Sequence, residues 1–111
     1  MKVYKVLTQA EWERAQQRAC DPGAPIDIRD GYVHLSTKEQ LSETLRLHFK
    51  GQEPLTLLAF EADELPELRW EPSRGGDLFP HLYAPLEVHK ATQRWTLMCD
   101  PLGVPTPPWV G

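Results

Sequence analysis

The chain reads as an α+β domain, on three observations. Strand-like and helical segments interleave through the first half, whereas the last two strand-like segments follow each other directly, which favours α+β over a doubly wound sheet. At 111 residues the chain can bury roughly two-thirds of its unfolded surface without staples. Its 11 prolines separate the apolar runs and mark where elements stop.

Residues 2–7 alternate weakly and predict a first strand. Thr8-Gln9-Ala10-Glu11 has the form of a capping box, with Leu7 and Trp12 placed as its hydrophobic staple. Trp12, Ala15 and Ala19 share one helical face up to Cys20, and Asp21-Pro22-Gly23 stops that helix. Residues 21–31 are expected to form a polar connection ending in a tight turn at Asp30-Gly31. Residues 32–36 predict a strand. Ser36 or Thr37 then caps a second helix, with Glu39 or Gln40 completing the box. Leu41, Thr44, Leu45, His48 and Phe49 form its inward stripe, and Gly51 suits its end.

Residues 55–60 are apolar on both faces and predict a central strand. Residues 63–66 read as one helical turn, and 68–71 as a short strand ended by Pro72. A loop over 73–85 is expected to carry Arg74-Gly75-Gly76 and His81, and segments 86–90 and 94–98 to close the domain as a pair of strands. The domain is expected over residues 1–99, with 100–111 a proline-rich arm, pinned if Trp109 finds a groove.

Lys and Arg number 12 against 16 Asp and Glu, a net charge of −4. Without a basic block, neither duplex nucleic acid nor an anionic membrane is an expected partner. The start of the chain is too charged for an export signal, and no apolar run approaches membrane-spanning length, so a cytoplasmic location is expected. Cys20 and Cys99 lack CxxC spacing and read as free thiols.

Two runs carry the functional signal: Asp30-Gly31-Tyr32-Val33-His34-Leu35-Ser36 and Phe79-Pro80-His81-Leu82-Tyr83. Each sets a histidine in an apolar stretch, where an imidazole is unnecessary for folding and awkward to bury without partners. On a strand, Tyr32, His34 and Ser36 share one face, while Val33 and Leu35 point into the core. His34 and His81 each admit two readings, a histidine bonded within the fold or a site residue. Ser36 is a site hydroxyl, a helix cap, or both. Tyr83 offers a ring to stack on or a hydroxyl to donate, and equally fits as a plug beneath its loop. Glu71, beside Trp70, suits a carboxylate tuned for acid–base work; the strand alternation equally turns it to solvent, paired with Arg69 or Arg74. Ser73-Arg74-Gly75-Gly76 has the form of an anion nest, a weak signal that also describes ordinary turns. His48 and His89 stand outside this constellation. His34, His81 and Glu71 also satisfy the residue types of a catalytic metal site, although HExxH, HxH and CxxC signatures are absent.

Together, the Asp-Gly-Tyr-Val-His-Leu-Ser run, Trp70-Glu71 and Phe-Pro-His-Leu-Tyr resemble an uncharacterised, mostly bacterial family, domain of unknown function 952, over residues 3–98. That family resembles a minimal ADP-ribosyltransferase fold, which implies a split, curved β-structure with two outer helices. In that fold a strand carries His-x-Ser/Thr, matched here by His34-Leu35-Ser36. The resemblance implies that His34 holds a ribose of NAD, Ser36 assists at the second ribose, and Tyr83 sandwiches the nicotinamide. Glu71 precedes the place of the late-strand glutamate that grips the developing ribosyl cation, and the late strands offer only Glu87. The RNA 2′-phosphotransferases of the wider fold use histidines and arginines around phosphate, a looser match for Arg74, His34 and His81.

The expected function is therefore a nucleotide-binding, ADP-ribosyltransferase-like enzyme domain. Its catalytic residues are His34, His81 and Glu71, and its ligand-binding residues Tyr32, Ser36, Arg74 and Tyr83. NAD is the candidate substrate, with no metal. The alternatives are a non-catalytic module using the same cleft and, more weakly, a metal-assisted hydrolase.

Overall fold

A computed structural model describes residues 1–18, 20–21 and 25–109, with the side chains of residues 18, 20, 21, 25, 26 and 74 left outside that description. Strand β1 (Lys2–Thr8) runs into helix α1 (Gln9–Arg18) through the capping box that the sequence predicts. Glu11 N–H donates to Thr8 Oγ1 at 3.2 Å, and Thr8 N–H donates to Glu11 Oε1 at 2.9 Å. Ala19, expected on the helix face, lies outside the described residues, as do Pro22 and Gly23.

Beyond β2 (Cys20–Asp21) comes a helix that the sequence does not suggest, α2 (Pro25–Asp30). Six residues are too few for a helical period to register, so the segment reads as a polar connection. Asp30-Gly31 is accordingly the end of this helix. Gly31, at φ 85°, and Tyr32 both donate backbone N–H to the Asp27 carbonyl. Among the described residues there are thus three α-helices where two were expected.

The chain continues through β3 (Val33–His34), α3 (Lys38–His48), β4 (Leu55–Glu61), β5 (Leu68–Ser73), β6 (Asp77–Leu82), β7 (Leu86–Glu87) and β8 (Gln93–Leu97). Thr37, not Ser36, caps α3: its hydroxyl accepts from Gln40 N–H while the Gln40 side chain accepts from Thr37 N–H. His48, expected on the inward stripe, is exposed at the end of α3. Among the described residues three antiparallel groupings form, β1-β4-β8, β3-β6-β5 and the ribbon β2-β7.

Central β4 is buried on both faces and separates two cores. Leu58 and Phe60 join Val3, Leu7, Val33 and Leu82 in one core, while Leu55, Leu57 and Ala59 meet Leu41 and Leu45 of α3 in the other. The late strands do not pair with each other. A single 3₁₀ turn at Val88–Lys90 separates them, β7 taking β2 and β8 taking β4 as partner. His89 lies in that turn rather than in a strand.

Two further corrections concern the second histidine run. Strand β5 continues through Pro72, which an edge strand tolerates because no ladder bond is asked of its nitrogen. The expected loop over 73–85 is a hairpin turn at Arg74–Gly76 followed by β6, the middle strand of its sheet. Pro80 sits in that strand because its nitrogen lies on the β3 side, where the ladder ends. Leu35 N–H donates to the Pro80 carbonyl at 3.1 Å, and the missing return bond limits β3 to the pairs Val33↔Leu82 and His34↔His81.

At Ser36 the same chain crosses to the other sheet, exchanging backbone bonds of 2.8 and 2.9 Å with Tyr4 of β1. Residues 33–36 therefore join the two larger sheets, and a cleft opens along the seam. The tail beyond Asp100 turns back on itself through a Cys99↔Pro105 bridge. Its Trp109 ring stands 5.1 Å from that of Tyr4, with Lys38 Nζ 5.2 Å above it.

Candidate functional site

Strand register decides which side chains meet in the cleft. His34 pairs with His81 across β3–β6, and His81 with Arg69 across β6–β5, so these three share a face opposite to core residues Val33 and Leu82. Glu71 lies two residues along β5 on the same face. Tyr83, whose N–H donates to the Glu67 carbonyl, extends that row beyond β6. Tyr32 lies over the middle of the row, its ring centroid 4.7 Å from His34, 4.1 Å from His81 and 5.2 Å from Tyr83. The two imidazoles are 5.5 Å apart, nearly edge to face.

The cavity beside them has a volume of about 610 Å³, within the range of small-molecule sites. Tyr32, His34, Ser36 and His81 line it together with Lys5, Asp27 and Asp30. Of the residues singled out in the sequence, Tyr32, His34, Glu71, His81 and Tyr83 come together in one cluster, and Ser36 lines the adjoining wall. The Ser36 hydroxyl lies 3.2 Å from Thr44 Oγ1. The backbone of Arg74 forms the β5–β6 turn, and its side chain lies outside the described residues. The following Gly75 opens on a different surface, beside Glu43 and Asp77, where the carboxylates disfavour an anion.

Each histidine is backed by a carboxylate. His81 is 3% exposed, and its Nδ1 lies 2.8 Å from Glu71 Oε1. Tyr83 donates its hydroxyl to the same oxygen at 2.7 Å. The hydrogen bonds from Tyr83 and then His81 hold the Glu71 carboxyl below its ordinary value, and Glu71 in turn raises the Tyr83 phenol. Glu71 faces the cluster yet stays about a third exposed, and its carboxyl is lowered rather than raised, so the apolar tuning expected from Trp70, which lies on the other face of β5, does not occur.

His34 is held at both ends. Its Nδ1 meets Asp27 Oδ1 at 2.5 Å and its Nε2 meets Asp30 Oδ2 at 3.1 Å. Both ring nitrogens of His34 are thus engaged by carboxylates. Burial and then the charges of Asp30 and Glu71 push the Tyr32 phenol up.

Asp27 and Lys5 are the residues that the sequence reading missed. Asp27 accepts the His34 backbone N–H at 2.9 Å as well as its ring, and Lys5 Nζ at 2.8 Å through the other oxygen. Lys5 Nζ also lies 3.2 Å from the His34 carbonyl. Burial alone would raise the Asp27 carboxyl, but the His34 hydrogen bond and the Lys5 charge outweigh it and leave the carboxyl far below its ordinary value. One sequence signal pointed here: Lys5 sits between Val3 and Leu7 on a core-facing side of β1, and a buried ammonium demands a carboxylate. Among the described residues no group of three His, Cys, Asp or Glu side chains is arranged to hold a metal ion, and the Nδ1 of His81 is already engaged by Glu71.

The site thus belongs to a small mixed α/β domain of antiparallel sheets, with paired histidines on the seam between them. Residues 6–94 match the family described as Protein of unknown function (DUF952), and the chain belongs to that family. No curated protein matches it. Among solved structures, the crystal structure of protein CC0527 from Caulobacter crescentus is similar at 46% identity and a TM-score of 0.92, covering 96% of this chain and 94% of that one. The solution structure of the same protein is similar at 46% identity and a TM-score of 0.85, covering 95% and 91%. Among the described residues no helix is long and apolar enough to cross a membrane.

Proposed function

We propose that the cleft binds NAD or a related ribonucleotide and that the protein is an enzyme of the ADP-ribosyltransferase type. One observation carries this reading: Tyr32, His34 and His81 line a cavity of ligand size, and Tyr83 and Glu71 continue their cluster just outside that lining. Tyr32 offers a planar face to a base from the cavity wall. A ribose at His34 would take the place of Asp30 at Nε2, and Ser36 lies further along the same wall for the second ribose.

The carboxylates of the site bear on the same chemistry. Asp27, Asp30 and Glu71 gather around the rings, with Lys5 committed to Asp27, Arg29 to Asp30 and Arg69 placed over the Tyr83 ring. A carboxylate beside the ribosyl carbon of NAD would stabilise the positive charge that develops there as its bond to nicotinamide loosens. Glu71 keeps Oε2 without a hydrogen-bond partner among the described residues, a group able to face that cation.

A second reading, a non-catalytic module in the same cleft, is favoured by the His34 ring, both of whose nitrogens are already engaged. The test is a thermal-shift and calorimetric series with NAD, NADP, ADP-ribose and nicotinamide mononucleotide. At a hundred times its dissociation constant a true ligand adds about 2.7 kcal/mol, a rise in Tm on the order of 10 °C. The reading requires this rise for at least one ribonucleotide and its loss in His34→Ala. Silence of the whole series overturns it.

A further inference from the structure

We propose that the group acceptor in this site is water, and that His81 takes its proton through Nε2. The reaction is then hydrolysis of the N-glycosidic bond rather than transfer to a macromolecule. This inference rests on the ribonucleotide reading above and extends it to the second half of the reaction.

The two histidines are not equivalent. Both nitrogens of His34 face carboxylates, Asp27 and Asp30, so neither offers a lone pair while those contacts hold. His81 has one such contact. Its Nδ1 donates to Glu71, which leaves Nε2 as the basic nitrogen, and that atom has no hydrogen-bond partner among the described residues. A carboxylate behind one imidazole nitrogen with the other left open is the arrangement of a general base.

Access decides what that base can serve. The side chain of His81 is 4% exposed, because it projects from the middle strand of its sheet and Tyr32 stacks over the ring at 4.1 Å. An acceptor group must come within roughly 2.6–3.2 Å of Nε2 to lose its proton there. A side chain of another protein, or a ribose of a folded RNA, would have to enter beneath Tyr32 to do so. Water fits.

In the step itself, a lone pair on the water oxygen forms the new bond to the ribose carbon, and the water proton passes to His81 Nε2. The carbon–nitrogen bond breaks with its electron pair going to the pyridine nitrogen, so nicotinamide leaves neutral. Loss of the His81 proton to solvent completes the balance: NAD and water give ADP-ribose, nicotinamide and one proton.

The experiment incubates the full chain with NAD in oxygen-18 water and follows nicotinamide release and the mass of ADP-ribose. A protein–RNA lysate with biotinylated NAD provides alternative acceptors. The proposal requires oxygen-18 in the ADP-ribose and no covalent label on macromolecules. His81→Gln should slow release by on the order of a hundredfold. Should that variant fail to fold, Glu71→Gln, on an edge strand, serves in its place, and should slow release and shift the acid limb of the pH–rate profile. Enzyme-dependent label on a protein or RNA overturns the proposal, as does NAD that binds without release of nicotinamide; both leave the binding reading standing. Absence of NAD binding overturns both together.

Discussion

Replacing Asp27 with asparagine keeps the shape of the side chain and removes the charge on which Lys5 and His34 converge. Lys5 is 5% exposed on the core side of β1 and would be left as an uncompensated ammonium. Removing one partner of a buried pair costs roughly 3–5 kcal/mol, against a total stability of about 5–15 kcal/mol for a domain. With an unfolding entropy of about 2.1 cal/mol/K per residue, this is a fall in Tm on the order of 15–20 °C. The double variant Lys5→Met/Asp27→Leu removes both charges and should recover the part of the loss due to the unpaired ammonium, while the His34 N–H and ring stay without their acceptor. Acidity supplies a second handle. The folded Asp27 carboxyl lies below its ordinary value, so its stabilisation is present above about pH 4 and is lost as the pH falls below that. Denaturant melts at pH 7 and pH 3 should therefore show the gap between wild type and Asp27→Asn narrowing with acid. A variant within about 1 kcal/mol of wild type at pH 7, the ordinary cost of a point mutation, would refute the role given to this pair, as would a gap that widens with acid.

Thr37→Ala removes the α3 cap and should cost about 1 kcal/mol in a urea melt, with Thr37→Gly costing only a few tenths. Ser36→Ala loses one hydroxyl contact, to Thr44, and should cost roughly 0.5–1.5 kcal/mol without changing α3 amide exchange at the first turn. Tyr83→Phe removes a donor from Glu71, so the Glu71 carboxyl should titrate higher than in wild type, as followed by side-chain carbon NMR.

Strong local signals survived the passage from sequence to structure. The Thr8–Glu11 box, the α3 stripe at Leu41 and Leu45, and the two-faced run over 55–60 all formed where their chemistry placed them, because each is decided by neighbours in sequence. Elements that depend on distant partners did not show. Strand β6 reads as a loop because Pro80 and the preceding Gly75-Gly76 are loop residues, and only the end of β3 explains a proline in a central strand. The meeting of Tyr32, His34, His81 and Tyr83 was legible as polar groups in apolar runs. Asp27 was not, because its carboxylate matters only when α2 sets it against Lys5 of β1.

The account stands most directly on a titration of NAD into isotopically labelled protein, followed by NMR at the histidine rings. It predicts saturable shifts at His34 and His81, with matching shifts at Tyr32 and Tyr83, while exposed His89 stays still and serves as the internal control. Shifts confined to other surfaces, or none at ligand concentrations far above the protein's, would contradict it.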